Sequence, residues 1–198
     1  MSNEASVPQG NTGDILNWPM LKLAYRTDAE KIAALLPPGI EPGAEPIVRL
    51  TIYNFPVPDE PEYGVVTAVD ANFNGVAGEY TLGYGIDQES AIFVSQETNG
   101  QPKYPCITEY FRLGPSVTAR CTHHGYTFVE YKGMSTGPVD PGPEFEQNEW
   151  WLKYSRAVSV GGPATGFDYP PHVVHVKSKY GTAHRENVEG ELILRDSP

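Results

Sequence analysis

The stretch "GVVTAVDANFNGVAGEYTLGYGI", residues 64–86, decides the fold class of this chain. Its two outer parts are rich in valine, tyrosine and threonine, the residues that favour strands. The glycines of "FNGVAG" (73–78) favour a β-turn, because their spacing matches no phosphate-binding loop and no Lys-Ser or Lys-Thr pair follows. The stretch therefore predicts two strands joined by a turn.

Similar short apolar or alternating runs recur along the chain, and together they predict about eight strands. The 20 glycines and 19 prolines fall mainly between the runs, which favours the tight turns of an antiparallel sheet or barrel over β-α-β crossovers. Residues 135–149 are too polar and proline-rich for a core, so we expect a long surface loop there, followed by a strand over "NEWWLKYS" (148–155). The other runs are "PIVRLTIYNF" (46–55), "SAIFVSQE" (90–97), "SVTARCTHH" (116–124), "YTFVEYKG" (126–133), "PHVVHVKS" (171–178) and "GELILRD" (190–196).

One helix is predicted near the N-terminus. Thr27, followed three residues later by Glu30, matches a capping box, and the run of prolines and glycine at 37–39 ends the helix. We therefore expect a helix over about residues 28–36. Its apolar face comprises Ile32, Leu35 and Leu36.

Length and charge indicate one acidic domain. The chain has 198 residues and 39% hydrophobic content, so we expect a single domain over 15–198 after a polar, disordered lead over 1–14. The net charge of −11, with no basic cluster, argues against binding of nucleic acid or an anionic membrane surface. No apolar run approaches 18 residues and the start lacks the pattern of a signal peptide, so we expect a cytoplasmic protein whose partners are small molecules or copies of itself.

The cysteines and histidines do not indicate a metal site. In a cytosolic setting Cys106 and Cys121 stay buried free thiols. The histidine pair at 123–124 precedes a glycine and favours a hairpin turn. His172 and His175 fall on opposite faces of a strand, which makes a zinc site there the least favoured hypothesis. We expect neither a metal nor a cofactor.

The candidate nucleophile is Lys103, which lies in "QETNGQPKYPCITEY" (96–110) among prolines, aromatics and few other charges. A lysine amine attacks a carbonyl only when unprotonated, and an apolar enclosure favours that neutral form. From its spacing alone, however, a lysine in a glycine- and proline-rich loop is a surface residue more often than a nucleophile.

Several stretches, in order and at near-constant spacing over about residues 19–115, resemble the acetoacetate decarboxylase family. Beyond that range only "WWLK" (150–153) and "GELILRDSP" (190–198) are similar. The resemblance implies an α+β fold in which mainly antiparallel strands form a barrel or cone, with one short N-terminal helix. The stretches are "YRTD" (25–28), "LLP" (35–37), "EPIVRL" (45–50), "FNGVAGEY" (73–80), "AIFVSQE" (91–97) and "PK" (102–103).

The resemblance also implies a role for Lys103, which matches the lysine that forms a Schiff base with the substrate ketone in the family. The protonated imine then withdraws electrons while carbon dioxide leaves. The same imine can drive aldol addition, retro-aldol cleavage or dehydration, so the fold does not fix the reaction. We expect a homo-oligomer, because family members are commonly oligomeric and an open sheet has free edge strands.

The departures from the family concern the groups around the lysine. Tyr104 stands where the family has a second lysine, and Trp18 stands where it has an arginine. Two active-site glutamates of the family fall opposite Thr51 and opposite Gly64 or Val65. The groups that handle the substrate carboxylate and the proton are therefore largely missing, and desolvation alone has to keep the amine neutral.

We accordingly predict a lyase that forms a Schiff base with a small or medium keto acid, either a decarboxylase or an aldolase–dehydratase. The expected catalytic residues are Lys103, Tyr104 as proton donor or packed aromatic, and Glu97, which matches a family glutamate. We expect Lys103 at the floor of an apolar pocket. The alternative is a non-covalent ligand-binding or cyclase-type barrel in which no imine forms. The expected substrate-binding residues are Gln101, Trp18, Tyr25, Phe73, Tyr84 and Phe93.

Overall fold

Two β-sheets and two short helices form the part of the chain that the computed structural model describes, residues 17–56, 61–158, 162 and 165–196. The lead predicted over 1–14 lies outside these residues. The helices are α1 (Ala29–Leu35) and α2 (Glu89–Asn99). The strands are β1 (Met20–Arg26), β2 (Glu41–Pro42), β3 (Ile47–Phe55), β4 (Glu62–Phe73), β5 (Val76–Ile86), β6 (Lys103–Pro105), β7 (Ile107–Leu113), β8 (Ser116–His123), β9 (Tyr126–Val139), β10 (Phe145–Arg156), β11 (Phe167–Tyr180) and β12 (Arg185–Leu194).

The strands form a mixed sheet and an antiparallel sheet. The larger sheet has the order β1-β3-β4-β5-β10-β11, with β2 beside β4 and β6 beside β5, and the smaller has the order β12-β9-β8-β7. Most neighbours are antiparallel, but β5 pairs in parallel with β6 and with β10. The predicted α+β fold of mainly antiparallel strands is confirmed, although in the described ranges the two sheets do not close into one barrel.

Two-residue turns connect the hairpins that the sequence predicted. Asn74 and Gly75, with φ of 52° and 78°, join β4 to β5. His124 and Gly125, with φ of 46° and 78°, join β8 to β9 in the same way. Positive φ at both central residues matches the twist of the flanking strands. Both turn predictions are confirmed.

A shared apolar cluster holds the two sheets together. The larger sheet contributes Leu21, Leu50, Ile52 and Val65, and the smaller contributes Val117, Ala119, Cys121, Val129 and Tyr131. Cys106, between the sheets, belongs to the same cluster, and both cysteines are buried free thiols as predicted. Because these side chains alternate along their strands, the opposite face of the larger sheet stays available for other side chains.

The run "SAIFVSQE" (90–97) forms helix α2, so its prediction as a strand is wrong. A short apolar run does not distinguish a strand from a helix by periodicity. Only Ile92 is buried on the helix, whereas Phe93 and Val94 are each 61% exposed. The helix ends at Gly100 (φ 68°) and connects the parallel strands β5 and β6, which is the β-α-β crossover that the sequence had disfavoured. Neither helix in the described ranges is long and apolar enough to cross a membrane.

Two further boundaries differ from the prediction. Helix α1 is capped by Asp28, whose carboxylate accepts a hydrogen bond of 2.8 Å from the Glu30 backbone N–H, and not by Thr27. The loop predicted over 135–149 is reduced to 140–144, because β9 continues to Val139. Beyond Met134 strand β9 pairs only with β12, so this segment has an open side where prolines fit.

The cluster between the sheets predicts a large effect for Ile52, which is 0% exposed. The variant Ile52→Ala is expected to lower the free energy of unfolding by about 2–5 kcal/mol, because it leaves a cavity in the core. The matched variant Leu35→Ala, at a position 59% exposed at the end of α1, is expected to change it by less than about 0.5 kcal/mol. Urea unfolding monitored by circular dichroism measures both, and equal effects would contradict the placement of Ile52.

Candidate active site

Lys103 is the first residue of β6, and the chain reaches it directly from helix α2. After the turn at Gly100 the backbone passes Gln101, and the Lys103 N–H donates to the Gln101 carbonyl at 2.7 Å. The amide of Gln96, on α2, donates to the Lys103 carbonyl at 2.5 Å. The parallel register then places Lys103 opposite Tyr84 of β5. These contacts fix the lysine backbone on three sides.

The side chain of Lys103 is buried and lies beside a carboxylate. Its Nζ is 3.3 Å from Oε2 of Glu62, and the side chains of both residues are 9% exposed. The same Nζ lies 5.7 Å from the centre of the Tyr84 ring. The other carboxylate oxygen, Oε1, accepts a hydrogen bond of 2.5 Å from the hydroxyl of Tyr53. The Lys103 amine is therefore buried beside the Glu62 carboxylate, and the Tyr53 hydroxyl binds the other oxygen of that carboxylate.

Strand register places Glu62 and Tyr53 on the same face of the larger sheet. Glu62 starts β4, opposite Phe55 of β3, and Gly64 lies opposite Tyr53. Glu62 and Gly64 face the same side because side chains two residues apart on a strand point the same way. A Cβ at position 64 would lie 2.5 Å from the Tyr53 hydroxyl oxygen, so only glycine leaves room for this phenol.

Electrostatics keep both neighbouring phenols protonated. Burial, followed by the neighbouring groups Tyr84 and Glu62, raises the pKa of Tyr53 far above its usual value. Burial likewise raises the pKa of Tyr84 well above its usual value, with a smaller contribution from Glu149. A buried charge is stable only beside an opposite charge, and at this site Lys103 and Glu62 neutralise each other. The two phenols therefore act at this site as neutral hydrogen-bonding groups beside the Lys103–Glu62 pair.

A narrow cleft adjoins the Lys103–Glu62 pair on the same face of the sheet. Its free volume of about 30 Å³ is room for one or two water molecules. The lining includes Tyr53 and Tyr84 but neither Lys103 nor Glu62. The cleft is lined by Trp18, Met20, Lys22, Arg49, Thr51, Tyr53, Val66, Ala68, Glu79, Tyr84, Gln147, Glu149 and Tyr180.

The expectation of an apolar pocket with Lys103 at its floor is corrected by this arrangement. Charged side chains line the cleft, including Lys22 and Glu79, and the amine has a carboxylate beside it. The cleft and the Lys103 amine are nevertheless connected by one row of positions that lie opposite each other on neighbouring strands. From β1 to β6 the row consists of Lys22, Thr51, Val66, Tyr84 and Lys103. The side chains of this row share one face of the larger sheet.

Three of the predicted residues lie at or near this site with Lys103. Tyr84 contacts the amine and lines the cleft. Trp18 lines the cleft and packs edge-on against Tyr53 at 5.5 Å between ring centres. Gln101, two residues before the lysine, is 8% exposed. The buried indole N–H of Trp18 has no hydrogen-bond partner among the described residues.

Tyr104 does not face Lys103. Adjacent residues on a strand point to opposite sides, so its ring packs in the cluster between the sheets, 5.8 Å from His123 and 6.4 Å from Phe128. The glycines of β5 make room for it, since a Cβ at Gly85 would lie 3.0 Å from its hydroxyl. Burial raises the pKa of Tyr104. The packed aromatic, rather than the proton donor, is the alternative that its position fits.

The remaining predicted residues lie away from the amine. Glu97 is on α2 with its side chain 83% exposed, 3.7 Å from the Lys153 amine, and Phe93 is 61% exposed on the same helix. Tyr25 packs against the clusters on the other face of β3. Phe73 packs against Trp150 at the far end of β4, at 5.5 Å between ring centres. The structure therefore does not bring these four side chains together with Lys103.

Sequence reasoning missed Glu62 and Tyr53. Glu62 follows an acidic, proline-rich segment and resembles a surface residue, and Tyr53 resembles ordinary core. One signal was available, because the resemblance places a family glutamate opposite Gly64 or Val65, and a glutamate two residues before Gly64 on a strand faces the same side as Gly64. Glu62 therefore places a carboxylate on β4 near the position at which the resemblance implies one.

No group of three metal-ligating side chains is found in the described ranges. His175 contacts Asn148, with 2.9 Å between its Nε2 and the amide oxygen, and stacks near Trp150. His172 lies 6.3 Å from Tyr169, between ring centres. Each histidine of β11 therefore has its own surroundings.

The Lys103–Glu62 pair predicts a strong coupling in stability. The variant Glu62→Ala leaves a buried amine without its counter-charge and is expected to lower the free energy of unfolding by about 3–5 kcal/mol. Adding Lys103→Met is expected to recover part of that loss, because the unpaired charge disappears. Glu109→Ala removes an exposed ion pair with Arg120 and is expected to cost less than about 1 kcal/mol. Urea titrations of wild type, Glu62→Ala, Lys103→Met, the double variant and Glu109→Ala test this, and additive losses in the two single variants would show that the pair is not coupled.

Comparison with known sequences agrees with the resemblance seen in the chain. A family model described as acetoacetate decarboxylase matches residues 2–198. Acetoacetate decarboxylases of Clostridium botulinum (strain Eklund 17B / Type B) and Paraburkholderia phytofirmans (strain DSM 17436 / LMG 22146 / PsJN) are 31% and 36% identical over 91 and 92 residues. Each match covers 44% of this chain, and 36% and 35% of the relatives. The chain thus matches about a third of the length of these curated relatives.

Comparison with solved structures supports the same fold. Acetoacetate decarboxylase of Legionella pneumophila gives a TM-score of 0.71 at 18% identity, covering 98% of this chain and 81% of that one. The enduracididine biosynthesis enzyme MppR, complexed with the condensation product of pyruvate and imidazole 4-carboxaldehyde, gives 0.67 at 17% identity, covering 91% and 75%. An acetoacetate decarboxylase-like enzyme of Sphingomonas wittichii RW1 gives 0.61 at 14% identity, covering 88% and 85%. With a family model that matches nearly its whole length, the chain belongs to the acetoacetate decarboxylase family.

Proposed function

We propose that the protein is a lyase that forms an imine between Lys103 and a small or medium keto acid, with Glu62 moving the proton of the amine. The observation that carries the proposal is the buried contact of 3.3 Å between Nζ of Lys103 and Oε2 of Glu62. The family and its structural neighbours are enzymes, which supports catalysis rather than passive binding.

Imine formation begins with proton transfer within the pair. Glu62 takes a proton from the Lys103 ammonium, and the neutral amine forms a bond to the carbonyl carbon of the substrate. The carbonyl oxygen then receives two protons, the one that Glu62 took from the ammonium and one from the attached nitrogen, and leaves as water, which gives the protonated imine. The Glu62 carboxylate, 3.3 Å from the nitrogen in the structure, is the group within hydrogen-bond reach that can carry these protons.

The imine then serves as an electron sink. In a β-keto acid the bond to the carboxylate breaks, carbon dioxide leaves, and the electron pair forms an enamine. Protonation of the enamine carbon and hydrolysis by water release a ketone and restore the amine. Alternatively, in a keto acid that keeps its carboxylate, a base removes a proton from the carbon next to the imine, and the resulting enamine carbon adds to an aldehyde. Loss of water and hydrolysis of the imine then release a condensation product and restore the amine.

We favour the aldol and dehydration chemistry over efficient cleavage of acetoacetate. Trp18 and Thr51 stand where the resemblance places an arginine and a glutamate, and both line the cleft beside the pair. Neither side chain carries a charge that would bind or expel a carboxylate. The structural neighbour MppR is complexed with a condensation product of pyruvate and an aldehyde, which supports the same preference.

Substrate access requires movement of side chains. Tyr53 and Tyr84 are the cleft-lining residues that also contact the Lys103–Glu62 pair. Since the cleft has room for one or two water molecules, a keto acid reaches the amine only after the Tyr84 ring or its neighbours shift.

One observation favours a second candidate function. Because Lys103 is not part of the cleft lining, a ligand bound in the cleft of this structure would not touch the amine. The alternative is therefore a non-covalent ligand-binding or cyclase-type protein in which Lys103 forms no imine. Covalent trapping distinguishes the two candidates.

The proposal also includes a homo-oligomer in the cytoplasm. Strands β1 and β11 end the larger sheet and β7 and β12 end the smaller one within the described ranges, so four edges are open to pairing. Three large apolar side chains on β7 are exposed, which also favours a partner. They are Ile107, Phe111 and Leu113.

Trapping with borohydride tests imine formation. The protein is incubated separately with acetoacetate and with pyruvate, reduced, and analysed by intact mass and peptide mapping. We expect an adduct on Lys103 that is absent in Lys103→Met and retained in Lys153→Met. Lys153 is a matched control, because its side chain is only 14% exposed but its amine contacts the Gln96 carbonyl and not Glu62. A folded protein that yields no adduct with any keto acid or ketone would leave only the non-covalent alternative.

The role of Glu62 is tested by the variant Glu62→Gln, which preserves the size of the side chain. We expect the rate of adduct formation to fall by about 100-fold or more, as for loss of a positioned base. The variant Glu97→Gln, at the exposed position on α2, is expected to react at the wild-type rate. Time courses of reductive trapping measure both rates, and a wild-type rate in Glu62→Gln would remove the carboxylate from the mechanism.

A further inference from the structure

We propose that Tyr53 is a positioning residue that holds the Glu62 carboxylate in the orientation in which it takes the proton of Lys103, and that the glycine at position 64 is required for this. The inference rests on the proposed function. It concerns a group that acts through Glu62 and does not itself react.

The two oxygens of Glu62 are engaged by different partners. Oε1 accepts the hydrogen bond of 2.5 Å from Tyr53, and Oε2 lies 3.3 Å from the Lys103 amine. A carboxylate held at one oxygen cannot rotate freely about its last bond, so the second oxygen stays directed at the amine. Glu62 is 7% exposed and Tyr53 1% exposed, so water does not readily replace the phenol as donor.

Tyr53 serves as a donor and not as an acid or base. Burial raises the pKa of its phenol far above the usual value, and the nearby Tyr84 and Glu62 raise it further. The hydroxyl therefore keeps its proton at any pH at which the protein is assayed. A donor of this kind stabilises the ionised carboxylate, which is the form that accepts the lysine proton.

The Tyr53 ring is itself fixed on several sides. It packs edge-on against Trp18 at 5.5 Å and against Tyr84 at 6.2 Å between ring centres. Ile86 and Ile92 complete the cluster, and Ile92 comes from helix α2. Helix α2, which leads to Lys103, thus also packs against the Tyr53 ring whose hydroxyl binds Glu62.

Gly64 provides the space in which the phenol lies. A Cβ at this position would be 2.5 Å from the Tyr53 hydroxyl oxygen, 2.6 Å from the ring carbon that carries it and 2.9 Å from the Gly85 carbonyl. Backbone on one side and a packed ring on the other leave no room for a shift. Any side chain at position 64 must therefore displace the phenol from Glu62.

Four titratable groups surround Glu62, and they set the electrostatic environment in which removal of the Tyr53 hydroxyl acts on the carboxylate. Lys103 from β6, Tyr53 from β3, Tyr84 from β5 and Asp87 just after β5 contact it or act on it electrostatically. Burial raises the pKa of Asp87, and the charge of Glu62 adds to this effect. Among these groups Tyr53 is the neutral donor to the carboxylate, so its removal disfavours the ionised form of Glu62.

The experiment compares pH profiles of adduct formation with acetoacetate in wild type and Tyr53→Phe. We expect the maximal rate to fall by about ten- to a hundredfold, as for one hydrogen bond to a charged group. The acidic limb of the profile is expected to move to higher pH, while the acetoacetate concentration at half-maximal rate stays unchanged. Tyr131→Phe is the matched control, because that phenol is 3% exposed and its hydroxyl has no partner among the described residues.

A second variant, Gly64→Ala, is expected to show the same shift of the acidic limb with the Tyr53 hydroxyl still present. Urea midpoints show that each variant is folded when assayed. If Tyr53→Phe and Gly64→Ala both keep the wild-type profile, the positioning role is wrong although wild type still forms its adduct. If wild type itself forms no adduct on Lys103, the proposed function fails first, so the two failures are distinguishable.

Discussion

A buried amine beside a buried carboxylate is the constraint on which the site depends. Lys103 and Glu62 lie at the starts of β6 and β4, far apart in the chain, and only the register of β3, β4, β5 and β6 brings them within 3.3 Å. Each group alone would carry a large desolvation cost, whereas together they form a neutral unit. Tyr53 and Gly64 belong to the same constraint, since one holds the carboxylate and the other leaves space for it.

Local chemistry made much of the fold predictable from the sequence. The alternating runs became strands, and the turns at Asn74-Gly75 and His124-Gly125 follow from residues that tolerate positive φ. The importance of Lys103 was also accessible, because its resemblance to the family lysine and its apolar neighbours pointed to the same residue. These features depend on residues close together in the chain.

Features that depend on distant residues were not predictable in this way. The run at 90–97 had the composition of a strand but became α2, because its ends must connect parallel strands. Tyr104 follows Lys103 in sequence yet faces the cluster between the sheets, because residues 103–105 pair with β5 as a strand in which neighbouring side chains alternate. Glu62 became recognisable only when pairing placed β4 between β3 and β5.

The position of β6 has a consequence for the order in which the candidate site assembles. Strands β3, β4 and β5 follow one another and pair as neighbours, whereas β6 joins β5 only through a crossover, and β10 joins it from more than 60 residues away. Non-local parallel pairing is slow because chain entropy is lost before contacts form. The contact between the Lys103 amine and the Glu62 carboxylate therefore forms only after β4, β5 and β6 have paired, and before that both groups are ordinary hydrated side chains.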